Sequence, residues 1–353
     1  MQYQSFIGEK SKSDSDKVEK LHKEALELLH NKRIVEAENK LKEVLRLDSN
    51  HAHACLNLGT LFYTSERYSE ALEAILKSLE IDSSQALGHY TMGLILEKLG
   101  AIYKAIQAYQ QAIHIDYQWI DAYNQLGHIY GEAGDFEKAE SIYRKAIVVK
   151  PKHFGSYLNL GNILLEQEKI DEAITAYEKA LELKPRDSNI LYNMGVAFEA
   201  KKDYIEAALN YGYSFYRQGK YQEAIKEYQK VLETNNGDVF FYIALAECHK
   251  SLNEYEKAII IYEQGLKNYP KSTIIYLNLI NTLQHQGKIK EAISIVNKAY
   301  KLNLNLLSFQ LEEQRLLPII YEKEKDIEFY RERFIKSLKV LTHQTYLDTP
   351  EAK

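Results

Sequence analysis

The sequence is poor in residues that interrupt helices and in residues that cross-link loops. Only 5 of 353 residues are Pro and 16 are Gly, so little along the chain forces a helix to stop. Cys55 and Cys248 are its only cysteines and lie far apart; a disulfide framework is excluded, and this usage suits a reducing compartment. Neither charge sign dominates. Lys and Arg number 45 against 50 Asp and Glu, a net charge of −5, so the basic balance of a nucleic-acid or anionic-membrane binder is missing. No window approaches the roughly 18 apolar residues of a membrane span, and the opening MQYQSFIGEKSKSDSDK lacks the apolar run of a secretory signal. The expectation is a cytoplasmic protein with no nucleic-acid or membrane partner.

Catalytic signatures are missing too. There is no GxxxxGK loop, no GxGxxG after a strand and no HExxH. His51 and His53 are two residues apart, the wrong spacing for one helical face, and fall at a unit junction where a solvated turn is expected. The two cysteines are too distant to share a zinc site, and acid pairs such as Glu312–Glu313 read as solvated faces. No catalytic residue, cofactor or metal site is predicted.

What the sequence does have is a repeat. Alanines recur at Ala37, Ala71, Ala105, Ala139, Ala173 and Ala207, each 34 residues from the last, then after a step of 17 at Ala224, Ala258 and Ala292. Twelve residues before each stands a mostly small residue: Ala25, Gly59, Gly93, Gly127, Gly161, Gly195, Gly212, Ala246 and Ile280. Four residues after each comes a large one: Leu41, Ile75, Tyr109, Tyr143, Tyr177, Tyr211, Tyr228, Tyr262 and Val296. A third column, seven after each alanine, is mostly small: Val44, Ser78, Ala112, Ala146, Ala180, Ser214, Val231, Gly265 and Ala299. Pro151, Pro185 and Pro270 mark unit ends. The spacing predicts two antiparallel helices per unit, A then B, with small residues at the crossings and aromatic residues filling the space between.

These columns resemble the tetratricopeptide pattern, L-G-x2-Y, A-x3-F and P over 34 residues, with Leu21, Tyr123, Tyr157, Leu191, Tyr242 and Tyr276 at the slot that usually holds Trp. The resemblance covers residues 18–306 and implies an all-α, right-handed superhelical solenoid of antiparallel helix pairs. Residues 1–17 are expected to be polar and disordered, and 307–353 to form capping or linker helices. The span 188–204 is only half a unit. Asp203 to Gln218 satisfies both registers: as helix B it supplies Ala207, Tyr211 and Ser214, and as helix A it supplies Tyr211, Gly212 and Phe215. A break or re-phasing of the superhelix is expected near 203–221.

In the family, helix A of each unit lines a concave groove that takes peptides. An Asn lies two residues before the small position at Asn57, Asn159, Asn193, Asn210 and Asn278, with Thr91, Gln125 and Ala244 at the same slot elsewhere. An amide both donates and accepts, as a peptide backbone requires. The row resembles the asparagine ladder of O-linked N-acetylglucosamine transferases, which implies peptide binding; Asn is also the commonest residue at this slot across the family, which implies a structural polar role. The cation set with which chaperone-type repeats grip a C-terminal carboxylate is missing: the slots hold His22, Leu26, Leu56, Thr60, Tyr90 and Leu94.

Beyond 306 the repeat fades. Pro318 interrupts, then Asp326 to Tyr346 shows an apolar stripe of Ile327, Tyr330, Phe334, Leu338 and Leu341, read as a terminal cap. The stretch Arg315 to Leu338 resembles the segment that follows the repeats in bacterial SPINDLY-like O-linked N-acetylglucosamine transferases, where it leads into a catalytic domain of several hundred residues. The expected function is a non-catalytic scaffold that binds extended segments of other proteins. The alternative is the substrate-recruiting part of such a glycosyltransferase.

Overall fold

A computed structural model of the chain describes residues 2–234, 237–302 and 304, with side chains from residue 15 onward. Among the described residues the fold is entirely helical, with seventeen α-helices and no strand, as the repeat columns predict. The chain divides into two compact units, Met1–Leu183 and Lys184–Lys353. Unit 1 contains α1 (Gln2–His30), α2 (Ile34–Leu47), α3 (Ala52–Thr64), α4 (Tyr68–Ile81), α5 (Ala86–Lys98), α6 (Ile102–Ile115), α7 (Ile120–Glu132), α8 (Phe136–Val149), α9 (Phe154–Glu166) and α10 (Ile170–Leu183). Unit 2 contains α11 (Ser188–Ala200), α12 (Tyr204–Arg217), α13 (Tyr221–Glu233), α14 (Val239–Ser251), α15 (Tyr255–Asn268), α16 (Thr273–His285) and α17 (Ile289–Lys301).

Each pair closes through a three-residue turn whose middle residue is left-handed. These residues are Lys32, Glu66, Gly100, Gly134, Glu168 and Lys202, then Gly219, Asn253 and Gly287, with φ between 58° and 76°. They keep the repeat's 34-residue step and its one 17-residue step. The turn closes each A helix in the same way: the amide three residues past the helix donates back to a carbonyl of its last turn, as Ala101 to Leu96 at 2.8 Å and Lys169 to Leu164 at 2.8 Å. Glycine takes this conformation without strain at Gly134, whereas Glu66 and Glu168 adopt it against a steric cost of about 1–2 kcal/mol.

The small and large columns meet face to face. A Cβ added to Gly161 would lie 2.5 Å from the Tyr177 ring, and Gly93 and Gly127 stand in the same relation to Tyr109 and Tyr143. Side chains of real proteins do not approach so closely, so with the ring in this position only glycine fits beneath it. In two repeats a larger residue in the small column comes with a smaller one opposite, Ala25 with Leu41 and Ile280 with Val296, all of them at most 1% exposed, whereas Ala246 keeps Tyr262. Ala105, Ala139 and Ala173 are fully buried. Several tyrosine hydroxyls find partners on the facing A helix. Tyr109 donates to Glu97 at 2.8 Å, Tyr177 to Asn162 at 2.9 Å and Tyr262 to Glu247 at 2.8 Å, so a large apolar ring is buried without stranding its polar end.

In unit 2, α12 makes both kinds of contact. Its Tyr211 ring covers Gly195 of α11, as a B helix covers its A helix, while the Tyr228 ring of α13 covers its Gly212, as if α12 were the A helix. Ser214 donates to the Ser188 carbonyl at 2.7 Å, matching the bond in unit 1 from Ser78 to Ala52, also 2.7 Å. One helix therefore serves as the second member of one pair and the first of the next.

Two expectations meet the structure at its ends. Of the segment 1–17, expected to be disordered, residues 2–17 belong to α1, which starts at Gln2. From residue 15 the side chains are exposed until Val18, the first buried one. This stretch contains no Pro, so the helix packed from Val18 onward extends upstream without a breaker. The expected cap and the Arg315–Leu338 stretch lie outside the described residues.

Candidate peptide-binding face

The side chains offered to a ligand are set by what each A helix leaves outside the packing. In unit 1, Leu26 on α1 and Leu87 on α5 are 43% and 40% exposed; in unit 2, Tyr192 on α11, Phe240 on α14 and Ile274 on α16 are 43%, 65% and 49% exposed. Exposed large apolar side chains recurring on helices that otherwise bury theirs mark a surface suited to association. Tyr192 is held by a tilted contact to Tyr211 at 5.2 Å and an edge contact to Phe215 at 6.2 Å between ring centroids. A hollow of about 600 Å³ lies between α8 and α10 over α9. Tyr157, Leu160, Leu164, Asp171 and Lys179 line it, together with Arg144 and Glu172, which are paired at 3.0 Å.

The asparagines differ in their freedom. Asn57 is half-buried on α3, and its Nδ2 lies 3.0 Å from Nε2 of His22 on α1. Asn159 on α9, Asn193 on α11 and Asn278 on α16 are half-buried. Asn210 on α12 is 8% exposed and its Nδ2 donates to the Glu206 carbonyl of its own helix at 2.8 Å. Asn193 and Asn210 sit on the two antiparallel helices of one pair, so a single row does not hold both. The neighbouring slot also contributes polar links between repeats: Ser156 on α9 donates to Asn124 on α7 at 3.4 Å.

Carboxylates on the B helices link successive repeats at a fixed step. Glu38 on α2 accepts from Arg67 at 2.8 Å, and Glu140 on α8 accepts from Lys169 at 2.8 Å, each cation 29 residues downstream. Glu140 also takes Arg144 at 2.8 Å and Gln167 at 3.0 Å. Burial alone would raise its pKa, but the hydrogen bonds from Lys169, Arg144 and Gln167 outweigh it and hold the carboxyl at about 2. No sequence signal singled out Glu140, because acids are common on B helices.

Models of the tetratricopeptide repeat match residues 22–86, 87–118, 120–153, 142–175 and 215–276, and a TPR repeat model matches 161–202. The chain is a tetratricopeptide-repeat protein. The matched spans stop at 202 and resume at 215, leaving out all of α12 but its last three residues. Among curated proteins this repeat protein is similar to the low calcium response locus protein H of Yersinia pestis, 25% identical over 32% of this chain and 67% of the relative. The protein of that name from Yersinia pseudotuberculosis is 26% identical over 27% of this chain and 57% of the relative. Among solved structures, the C-terminal part of a TPR repeat-containing protein from Cytophaga hutchinsonii matches with a TM-score of 0.53 at 20% identity, over 72% of this chain and 97% of that one. MamA matches at 28% identity with a TM-score of 0.43, over 45% of this chain and 94% of that one. Among the described residues, no helix is long and apolar enough to cross a membrane.

Proposed function

We propose that this repeat protein is a non-catalytic scaffold that takes extended segments of partner proteins along its A helices. The observation that carries the reading is that those helices offer both exposed apolar side chains and half-buried amides at one slot: Leu87 on α5 and Asn159 on α9 in unit 1, and Ile274 and Asn278 together on α16 in unit 2. Apolar side chains supply area, and amides supply donors and acceptors for a backbone that has no partner strand. Asn159 and Asn278 are the binding residues in this reading. Asn57 and Asn210 hold the scaffold itself, through His22 and through the Glu206 carbonyl. The doubled role of α12 re-phases the repeat, so that α12, α14 and α16 form the ligand face of unit 2 and Asn193 stands apart from Asn210 and Asn278.

A peptide selected from a displayed library against the full chain provides the test. Asn159→Ala, or Asn278→Ala if the peptide maps to unit 2, removes one hydrogen-bonding side chain and weakens binding by about 3- to 10-fold, with helicity unchanged. Affinity unaltered in both variants refutes the amide row. The alternative, a substrate-recruiting arm of a glycosyltransferase, rests on the Arg315–Leu338 resemblance alone; capture of such an enzyme by the full chain from its host favours it.

A further inference from the structure

Three side chains from two successive repeats converge at the start of unit 1. Glu19 and His22 stand three residues apart on α1, on one face of the helix. His51 is the residue that caps α3. One ligand-type atom from each lies within 4.8 Å of the other two, and the two imidazoles meet edge to face with centroids 4.6 Å apart.

We propose that Glu19, His22 and His51 form a binding site for a divalent transition-metal ion, with Zn2+ as its natural probe. Two imidazoles and a carboxylate are the donor set of open zinc sites, in which a fourth position stays available to water or to a ligand's side chain. The same imidazoles disfavour Mg2+ and Ca2+, which take oxygen donors.

Each ligand has the surroundings that role needs. His22 is 9% exposed. Its burial and the adjacent His51 hold its pKa below the ordinary value. Asn57, 3.0 Å from Nε2, supplies the outer partner that fixes a ligating imidazole. With the amide turned so that Oδ1 accepts from Nε2–H, the lone pair falls on Nδ1. His51 accepts the Ala54 amide at Nδ1, 3.1 Å away, and the same amide also lies 3.1 Å from the His51 carbonyl. Nδ1 can therefore pass to a metal without stranding that donor. Glu19 is exposed and free to change rotamer, which matters because ligand atoms around zinc must draw in to about 3.4 Å of one another for bonds of about 2.1 Å.

The experiment is calorimetric titration of ZnCl2 into the untagged, metal-stripped full chain, since a histidine tag would compete. The comparison variants are Glu19→Gln, His22→Ala and His51→Asn; the last keeps a side chain that caps α3 while removing the imidazole. Expected are one ion per chain at low-micromolar affinity or tighter, a loss of about tenfold or more in each single variant, and far-ultraviolet circular dichroism like that of the wild type. Mg2+ in excess leaves the titration unchanged. No saturable one-to-one binding by the wild-type chain, or binding that survives the triple variant, overturns the site.

Discussion

Gly161→Ala tests the central packing claim, because the same substitution carries two opposed effects whose balance depends on one ring. In an open helix the change stabilises by about 1 kcal/mol, since alanine loses less backbone entropy than glycine. Here the new methyl would lie 2.5 Å from Cε1, 2.7 Å from Cδ1 and 2.9 Å from Cζ of Tyr177. That ring is fully buried and its hydroxyl is tied to Asn162 at 2.9 Å, so it cannot swing away as the end of a flexible chain would. Overpacking of this kind costs about 1–3 kcal/mol. The net effect is a destabilisation of about 0–2 kcal/mol. In a Tyr177→Leu background the ring is gone, and the same substitution should stabilise by about 1 kcal/mol. The coupling between the sites is therefore about 1–3 kcal/mol, measured by a double-mutant cycle in urea. Stacked repeats can open in parts, so hydrogen exchange across α9 and α10 should accompany the global unfolding curve. If Gly161→Ala stabilises both backgrounds equally, the glycine column is not imposed by the tyrosines, and the account of the small residues is wrong.

Two further outcomes follow from the turns and the inter-repeat acids. Glu168→Gly relieves a left-handed residue with φ of 59° and should stabilise by about 0.5–1 kcal/mol, whereas Gly134→Ala, at φ 74°, should destabilise by a similar amount; melting curves check both, and the same sign in the two variants would contradict the strain. Glu140 has a folded pKa of about 2 against an ordinary 4.5, so its contribution is present above pH 4.5 and is lost as pH falls toward 2. Because Arg144 and Lys169 are themselves 50% and 41% exposed, solvent screens the pairs, and wild type should exceed Glu140→Gln by about 1 kcal/mol at neutral pH, the gap closing in acid; a gap independent of pH would show that the Lys169, Arg144 and Gln167 bonds do not hold the carboxylate.

Much of the repeat is legible as pattern, because contacts within a helix pair follow from spacing alone. Ala139, Gly127 and Tyr143 reach one crossing at any step that keeps their registers, and the doubled register of α12 could be read from Tyr211 and Gly212 standing side by side. The left-handed column was invisible, although it repeats as faithfully as the alanines. Lys32, Glu66, Gly100, Gly134, Glu168 and Asn253 share no side-chain chemistry; closing each pair imposes their backbone conformation, and a residue's name records side chain before backbone. The Glu140 network was hidden for a related reason, since its partners Lys169 and Gln167 come from the next repeat.

The sequence by itself determined the period, the helix pairs and the residues at their crossings, because these depend on neighbours three, four or a few more positions along one or two helices. Only the tertiary structure decided which asparagines are spoken for and which rings face each other. Asn57 meets His22 across 35 residues and His22 meets His51 across 29. Those meetings depend on how one repeat is rotated against the next, a quantity set by the summed packing of both and written in no local stretch of chain.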